Sequence, residues 1–326
     1  MKILRKLLLF VGILLLTVTC SKVNNESQIT KVNESPSAFW ALTGATGAHD
    51  PCIIKEGSTW WVFTTGTGLP VKYSSNGLAW NQGVQRFPSA LSWWSTYAPG
   101  MANNDIWAPM CYYYGGRYWL YYSVSVFGKK TSAIGLTSCS SIAKGDWRDD
   151  GMVISSNASS SYNAIDPDVC VDASGKLWLS FGSWSDGIHV IQLSTSTMKP
   201  TGSNYKIAYK SGGIEGSNIM YNGGYYYLFA SYGLCCQGVN STYKIGYGRA
   251  TSITGPYYDK NGVNMSSGGY TLLDGGNSRW VGPGGQSVYK NGSSYVIVRH
   301  AYDASNNGAP TMLINDLYFT SGWPTY

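Results

Sequence analysis

An all-β fold is what this sequence predicts, and three observations carry it. Of 326 residues, 40 are glycine, 26 tyrosine and 13 tryptophan, while only 12% are charged. That balance suits many short strands joined by tight turns and argues against a helical bundle or a disordered chain. A glycine turn followed by an aromatic strand recurs five times, with strands starting at Trp60, Tyr118, Leu177, Tyr226 and Tyr295. These starts are 58, 59, 49 and 69 residues apart, which leaves room for about four short strands per unit. Tandem units of this size are expected of blades in a radial array, so the sequence predicts a five-bladed β-propeller.

Lys2, Arg5 and Lys6 precede an apolar run from Leu7 to Leu16, and Thr17-Val18-Thr19-Cys20 closes it. Residues 1–20 therefore read as a secretory signal, with Cys20 at the cleavage point as in a lipoprotein and so a candidate for lipidation. The alternative is plain secretion. The run is short for a membrane span, so membrane contact is expected only through the lipid. Residues 21–38 are polar, lack aromatics, and read as a flexible linker. The propeller is expected over 39–326, as a monomer exported to an outer membrane or cell surface, or otherwise secreted or periplasmic.

The net charge is +6, but three of the positive charges lie in the first six residues. No Lys/Arg cluster remains to mark a nucleic-acid surface. After Cys20 six cysteines follow, at 52, 111, 139, 170, 235 and 236. Four lie in strand-like runs, so mostly buried free thiols are expected. Cys235 and Cys236 are adjacent, and no CxxC pair suggests zinc.

The repeat itself begins near Phe39. Lys55-Glu56-Gly57-Ser58, Gly115-Gly116-Arg117, Ala173-Ser174-Gly175-Lys176, Asn222-Gly223-Gly224 and Asn291-Gly292-Ser293 each lead into an aromatic or aliphatic strand. These are hairpin turns, where glycine supplies the positive φ.

Acidic residues are scarce, 17 in all. Even so, His49-Asp50-Pro51, Ala164-Ile165-Asp166-Pro167-Asp168 and Ile214-Glu215-Gly216-Ser217 each put a carboxylate at the start of a repeat. A radial array would bring Asp50, Asp166 and Glu215 to one axial channel. Paired carboxylates suit glycoside hydrolysis, in which one donates a proton to the leaving oxygen and another activates water. A third can raise the donor's pKa by like-charge repulsion. Calcium binding is the alternative use of such a triplet. Exposed Tyr and Trp also suit packing against sugar rings. Five residues into each marked strand stand Thr65, Ser123, Gly182, Ser231 and His300. Four are small and the fifth is one of only three histidines, which singles out His300.

His49-Asp50-Pro51, Trp107-Ala108-Pro109, Asn163-Ala164-Ile165-Asp166-Pro167 and Ile214-Glu215-Gly216 resemble glycoside hydrolase family 43. Leu120 to Ser125, Ser132 to Leu136, Cys235-Cys236-Gln237-Gly238, Ser241 to Ile245, Gly255-Pro256-Tyr257 and His300-Ala301-Tyr302-Asp303 resemble its α-1,5-L-arabinanases. The likeness spans about residues 45–324. It implies a five-bladed propeller and inversion of configuration. Asp50 would be the general base, Glu215 the general acid, and Asp166 the residue that orients and tunes the acid. His300 matches a histidine beside a metal, usually calcium, held largely by water. Trp107 would be a wall for the bound sugar, or core packing alone, with Asn163 and Ser183 as further contacts. Ser217, Gln237 and Gly285 depart from common family residues, Gly285 standing where some members carry His.

The resemblance implies endo-acting hydrolysis of arabinan, a pectin side chain of plant cell walls. Within the class the alternatives are an exo-acting arabinanase, an α-L-arabinofuranosidase or a β-xylosidase. From other classes the alternatives are a non-catalytic sugar-binding surface lipoprotein and a metal-stabilised interaction propeller. No organic cofactor is expected.

Overall fold

The structure, a computed structural model, describes residues 39–102 and 104–326. The signal segment, Cys20 and the linker to residue 38 lie outside the described residues. Five sheets follow one another along the chain, antiparallel except where the short strand Thr43–Gly44 pairs in parallel with Ala79–Gln82. Blade 1 is Cys52–Glu56, Thr59–Phe63, Val71–Ser74 and Ala79–Gln82; blade 2 is Asp105–Tyr114, Arg117–Val124, Ser132–Cys139 and Arg148–Ser156. Blade 3 is Asp168–Val171, Leu177–Phe181, Ile188–Leu193 and Pro200–Ala208. Blade 4 is Ile214–Asn222, Tyr225–Tyr232, Lys244–Ala250 and Thr271–Asp274, and blade 5 is Trp280–Asn291, Ser294–Asp303, Ala309–Thr320 and Trp323–Thr325. The first strand of each blade packs against the first strands of both neighbouring blades, blade 5 returning to blade 1. The expected five-bladed propeller is therefore closed.

Closure uses the entering segment. Trp40 donates its N–H to Ile314 O, Ala48 to Pro310 O, and Met312 returns one to Thr46 O. The start of the domain is thus stitched to blade 5.

Strand periodicity explains the core. Successive side chains of a strand point to opposite faces, and here both faces meet another blade. Ile53 packs among Val296, Val298 and Ile314 of blade 5, while Ile54 packs with residues of blade 2 such as Leu120. Ile219 faces blade 3 and Met220 faces blade 5 in the same way. Burial on both sides is why the marked strands read as continuous apolar and aromatic runs. Each fully buried side chain such as Leu120 contributes about 2 kcal/mol of transfer free energy. Cys52, Cys111, Cys139 and Cys170 are buried free thiols, as expected, whereas Cys235 and Cys236 are joined in a disulfide.

Candidate active site

One residue at the head of each inner strand has a positive φ: Asp50 (44°), Ala108 (41°), Asp166 (58°), Gly216 (58°) and Gly285 (55°). In blades 2, 4 and 5 the strand register shifts there, as in a β-bulge, a device that re-aims side chains. Each of these kinks exposes a backbone N–H toward the preceding blade. Thr65 Oγ1 accepts from Ala108, Ser123 Oγ from Asp166, Ser231 Oγ from Gly285, and His300 Nδ1 from Asp50. The acceptors are the residues aligned five places into the marked strands. At the remaining junction the aligned residue is Gly182, which offers no side-chain acceptor. There the Gly216 N–H donates to Asp166 Oδ2 at 2.9 Å instead.

This ring places the three carboxylates. Asp50 and Asp166 occupy equivalent kinks; Glu215 stands one residue before its kink, matching His49, Trp107, Ile165 and Gly284. All three line one cavity of about 950 Å³, together with Trp107, Asn163 and Ser183.

Their surroundings differ in sign. Asp50 Oδ2 accepts from Thr65 Oγ1 at 2.6 Å and from His49 Nδ1 at 2.9 Å. Burial would raise the Asp50 pKa, but His49, His300 and the Thr65 hydroxyl outweigh it and hold the carboxyl well below its ordinary range. Burial disfavours a charge on His49, yet the Asp50 carboxylate carries its pKa above the usual value. Tyr302 fixes this histidine from behind. Its hydroxyl lies 2.9 Å from His49 Nε2 and accepts the N–H of Cys236. The Asp50 carboxylate can only accept, so Nδ1–H of His49 points to it.

Glu215 and Asp166 move the other way. Burial raises the Glu215 pKa, and the nearby Asp50 charge adds to it against hydrogen bonds from Ser183 and Tyr243. Asp166 is pushed well up by burial, then by Glu215 and Asp50, against the one Gly216 N–H. The cavity thus holds one carboxyl biased toward its ionised form and two biased toward the protonated form, the opposed tuning that acid–base cleavage needs.

His300 is buried and stacks on His49, with ring centroids 3.8 Å apart. Burial, then the charge on His49, pushes its pKa down to about 3, so the ring is neutral. His49, Asp50 and His300 form a cluster whose ligand atoms lie within 4.8 Å of one another. His300 Nε2 is buried with no hydrogen-bond partner.

The remaining sequence candidates have definite places. Trp107 lines the cavity with its indole N–H tied to Asp105 Oδ2 at 2.8 Å. Asn163 Oδ1 accepts from Ser132. Ser183 binds Glu215 Oε2 at 2.6 Å, so its hydroxyl is committed to the acid. Sequence reasoning passed over Tyr243, Tyr302 and Thr65 as site residues. Thr65 could have been found from the repeat alignment; the two tyrosines lie in the arabinanase-like stretches Ser241 to Ile245 and His300 to Asp303, where nothing local shows what they touch. Trp184 and Phe127 also reach the cavity wall, both exposed. At Gly285 a Cβ would lie 2.1 Å from Asp50 Oδ1, so this departure from the family pattern leaves room for the carboxylate.

Residues 43–324 match the family described as glycosyl hydrolases family 43. The chain is 52% identical over 304 residues to an extracellular endo-α-(1→5)-L-arabinanase of Bacillus subtilis, covering 91% of this chain and 93% of that one. It is 39% identical to an extracellular exo-α-(1→5)-L-arabinofuranosidase of Cellvibrio japonicus, over 85% of each. Among solved structures, a family 43 endo-arabinanase from Bacillus licheniformis superposes with a TM-score of 0.85 at 56% identity, covering 88% of this chain and all of that one.

Proposed function

The chain belongs to glycosyl hydrolase family 43, and on that premise we propose that it is an exported endo-acting hydrolase of α-1,5-linked L-arabinan that inverts the anomeric carbon. The observation that carries this reading is the meeting, in one cavity, of Asp50, whose hydrogen bonds favour its ionised form, with Glu215, whose burial favours its protonated form. Asp50 takes a proton from water as the water attacks the anomeric carbon. Glu215 gives its proton to the departing glycosidic oxygen. Asp166 accepts the Gly216 N–H, keeps the acid's backbone in place, and as a buried carboxyl neighbour would tune the acid's pKa. Extracellular relatives support export. The lipid anchor at Cys20 belongs to this proposal too, and globomycin-insensitive processing would remove it.

The cation implied by the family resemblance, calcium, is part of the same reading. Two imidazoles and one carboxylate make a poor direct calcium shell, since that ion prefers oxygen. His300 Nδ1 already accepts the Asp50 N–H, so the ring proton sits on Nε2, which can contact a water but not a metal. The residues therefore fit an ion held through water, with His300 at its edge. Such an ion would supply positive charge near Asp50.

The exo-acting reading is the nearest rival, favoured by the Cellvibrio relative. Linear α-1,5-arabinan digested by residues 21–326, followed by product size and anomeric NMR, separates them. Mixed oligomers of inverted configuration are expected. A single released size from the first minutes would mean exo action, and no cleavage would overturn the assignment.

A further inference from the structure

Both oxygens of the Glu215 carboxyl group are taken by hydroxyls. Tyr243 donates to Oε1 at 2.5 Å and Ser183 donates to Oε2 at 2.6 Å. A carboxyl group delivers its proton through an oxygen that meets the leaving atom, and a hydroxyl already on that oxygen competes with the substrate for the approach to it.

The two differ in freedom. Tyr243 is 5% exposed. A Cβ on Gly284 would fall 2.2 Å from its ring, and Gly284 is not among the left-handed positions. The missing side chain there serves the tyrosine ring and not the backbone. The phenol oxygen is rigid with that ring and cannot turn aside alone. Ser183 Oγ needs only rotation about one bond to release Oε2. The serine also lies in the cavity wall beside Trp184.

We propose that Tyr243 is a positioning residue that holds Oε1 of Glu215 throughout the reaction, while Ser183 guards Oε2 and gives way to the glycosidic oxygen. The inference rests on Glu215 being the general acid. In the step it describes, the O–H bond at Oε2 breaks as an O–H bond forms on the glycosidic oxygen. The anomeric C–O bond breaks with its electron pair leaving on that oxygen, the water oxygen bonds to the anomeric carbon from the opposite face, and water's proton goes to Asp50. Glu215 is left as a carboxylate, and the Tyr243 hydroxyl stabilises the charge that appears on it. Ser183 then returns to Oε2.

The test compares Tyr243→Phe with Ser183→Ala on two substrates, linear α-1,5-arabinan and a 2,4-dinitrophenyl α-1,5-arabinotrioside whose leaving group needs no proton. Tyr243→Phe is expected to lose kcat roughly 10- to 100-fold on arabinan, as for a lost hydrogen bond to a charged group, with KM little changed. On the dinitrophenyl substrate it should stay within about threefold, and Ser183→Ala should lose less kcat on arabinan than Tyr243→Phe does. Equal losses of Tyr243→Phe on both substrates would mean a merely structural tyrosine and overturn the proposal. So would a larger loss for Ser183→Ala than for Tyr243→Phe. Gly284→Ala, which displaces the ring and keeps the phenol, must show the same selective loss. Glu215→Gln is the separate check: if it cleaves arabinan normally, the acid assignment itself fails, whatever the tyrosine variant does.

Discussion

The backbone N–H of Asp50 donates to Nδ1 of His300 across the seam between the last blade and the first, at 3.1 Å. Serine or threonine hydroxyls fill the same post at three of the other four junctions. His300 is therefore first a cap for the kink that aims Asp50. Its second nitrogen is what the hydroxyls lack. We expect His300→Ala to destabilise the domain, since it leaves a buried N–H unpaired, and His300→Ser to recover about 1 kcal/mol of that loss. Both should lose activity, and both should lose any response to calcium that chelation reveals in the wild type. Thermal unfolding with and without chelator checks this. Equal melting temperatures for the Ala and Ser variants would contradict the capping role.

Asp50→Asn and Glu215→Gln keep shape and remove the chemistry. Each should lower kcat on arabinan by about three orders of magnitude or more while the domain still unfolds cooperatively near the wild-type temperature. Initial rates of reducing-end release measure the first, and calorimetry the second. Retained turnover in either would displace that residue from its role.

Asp166→Asn tests the coupling between the two raised carboxyls. Glu215 is among the groups that push Asp166 up, and because two adjacent buried carboxylates resist joint ionisation the two titrate as a pair. Without Asp166, Glu215 should ionise at lower pH. A general acid must be protonated, so the alkaline limb of the kcat profile should move to lower pH. The loss at the optimum should be smaller than for Asp50 or Glu215. An unchanged limb would leave Asp166 only its hold on the Gly216 N–H.

The architecture was legible because the repeat writes itself into turns and apolar runs, and both survive without knowledge of neighbours. The repeat also exposed Asp50, Asp166 and His300. Glu215 fell one place off the register that Asp50 and Asp166 share, because the kink and not the carboxylate is what repeats. Tyr243 stayed hidden for a different reason. Its partner Glu215 stands 28 residues away, and the space for its ring comes from Gly284 in the next blade. The Cys235–Cys236 disulfide was hidden as well, since adjacency alone does not decide whether two thiols join.

Two glycines with nearly the same φ separate backbone strain from steric fit. Gly57 has φ 57° in a hairpin turn with nothing within 4 Å of an added Cβ. Gly285 has φ 55°, and its Cβ would lie 2.1 Å from Asp50 Oδ1 and 2.9 Å from Asp50 Cα. Gly57→Ala should destabilise by about 1 kcal/mol, the cost of a left-handed alanine, with activity unchanged. Gly285→Ala carries the same strain and must also push Asp50 from its place between Thr65 and His49. A base moved by even about 1 Å from its working position costs on the order of 100-fold in rate. Melting temperatures should fall for both variants, and kcat for Gly285→Ala alone. If Gly285→Ala keeps its kcat, Asp50 tolerates displacement and the tight seat described for it does not matter to the reaction.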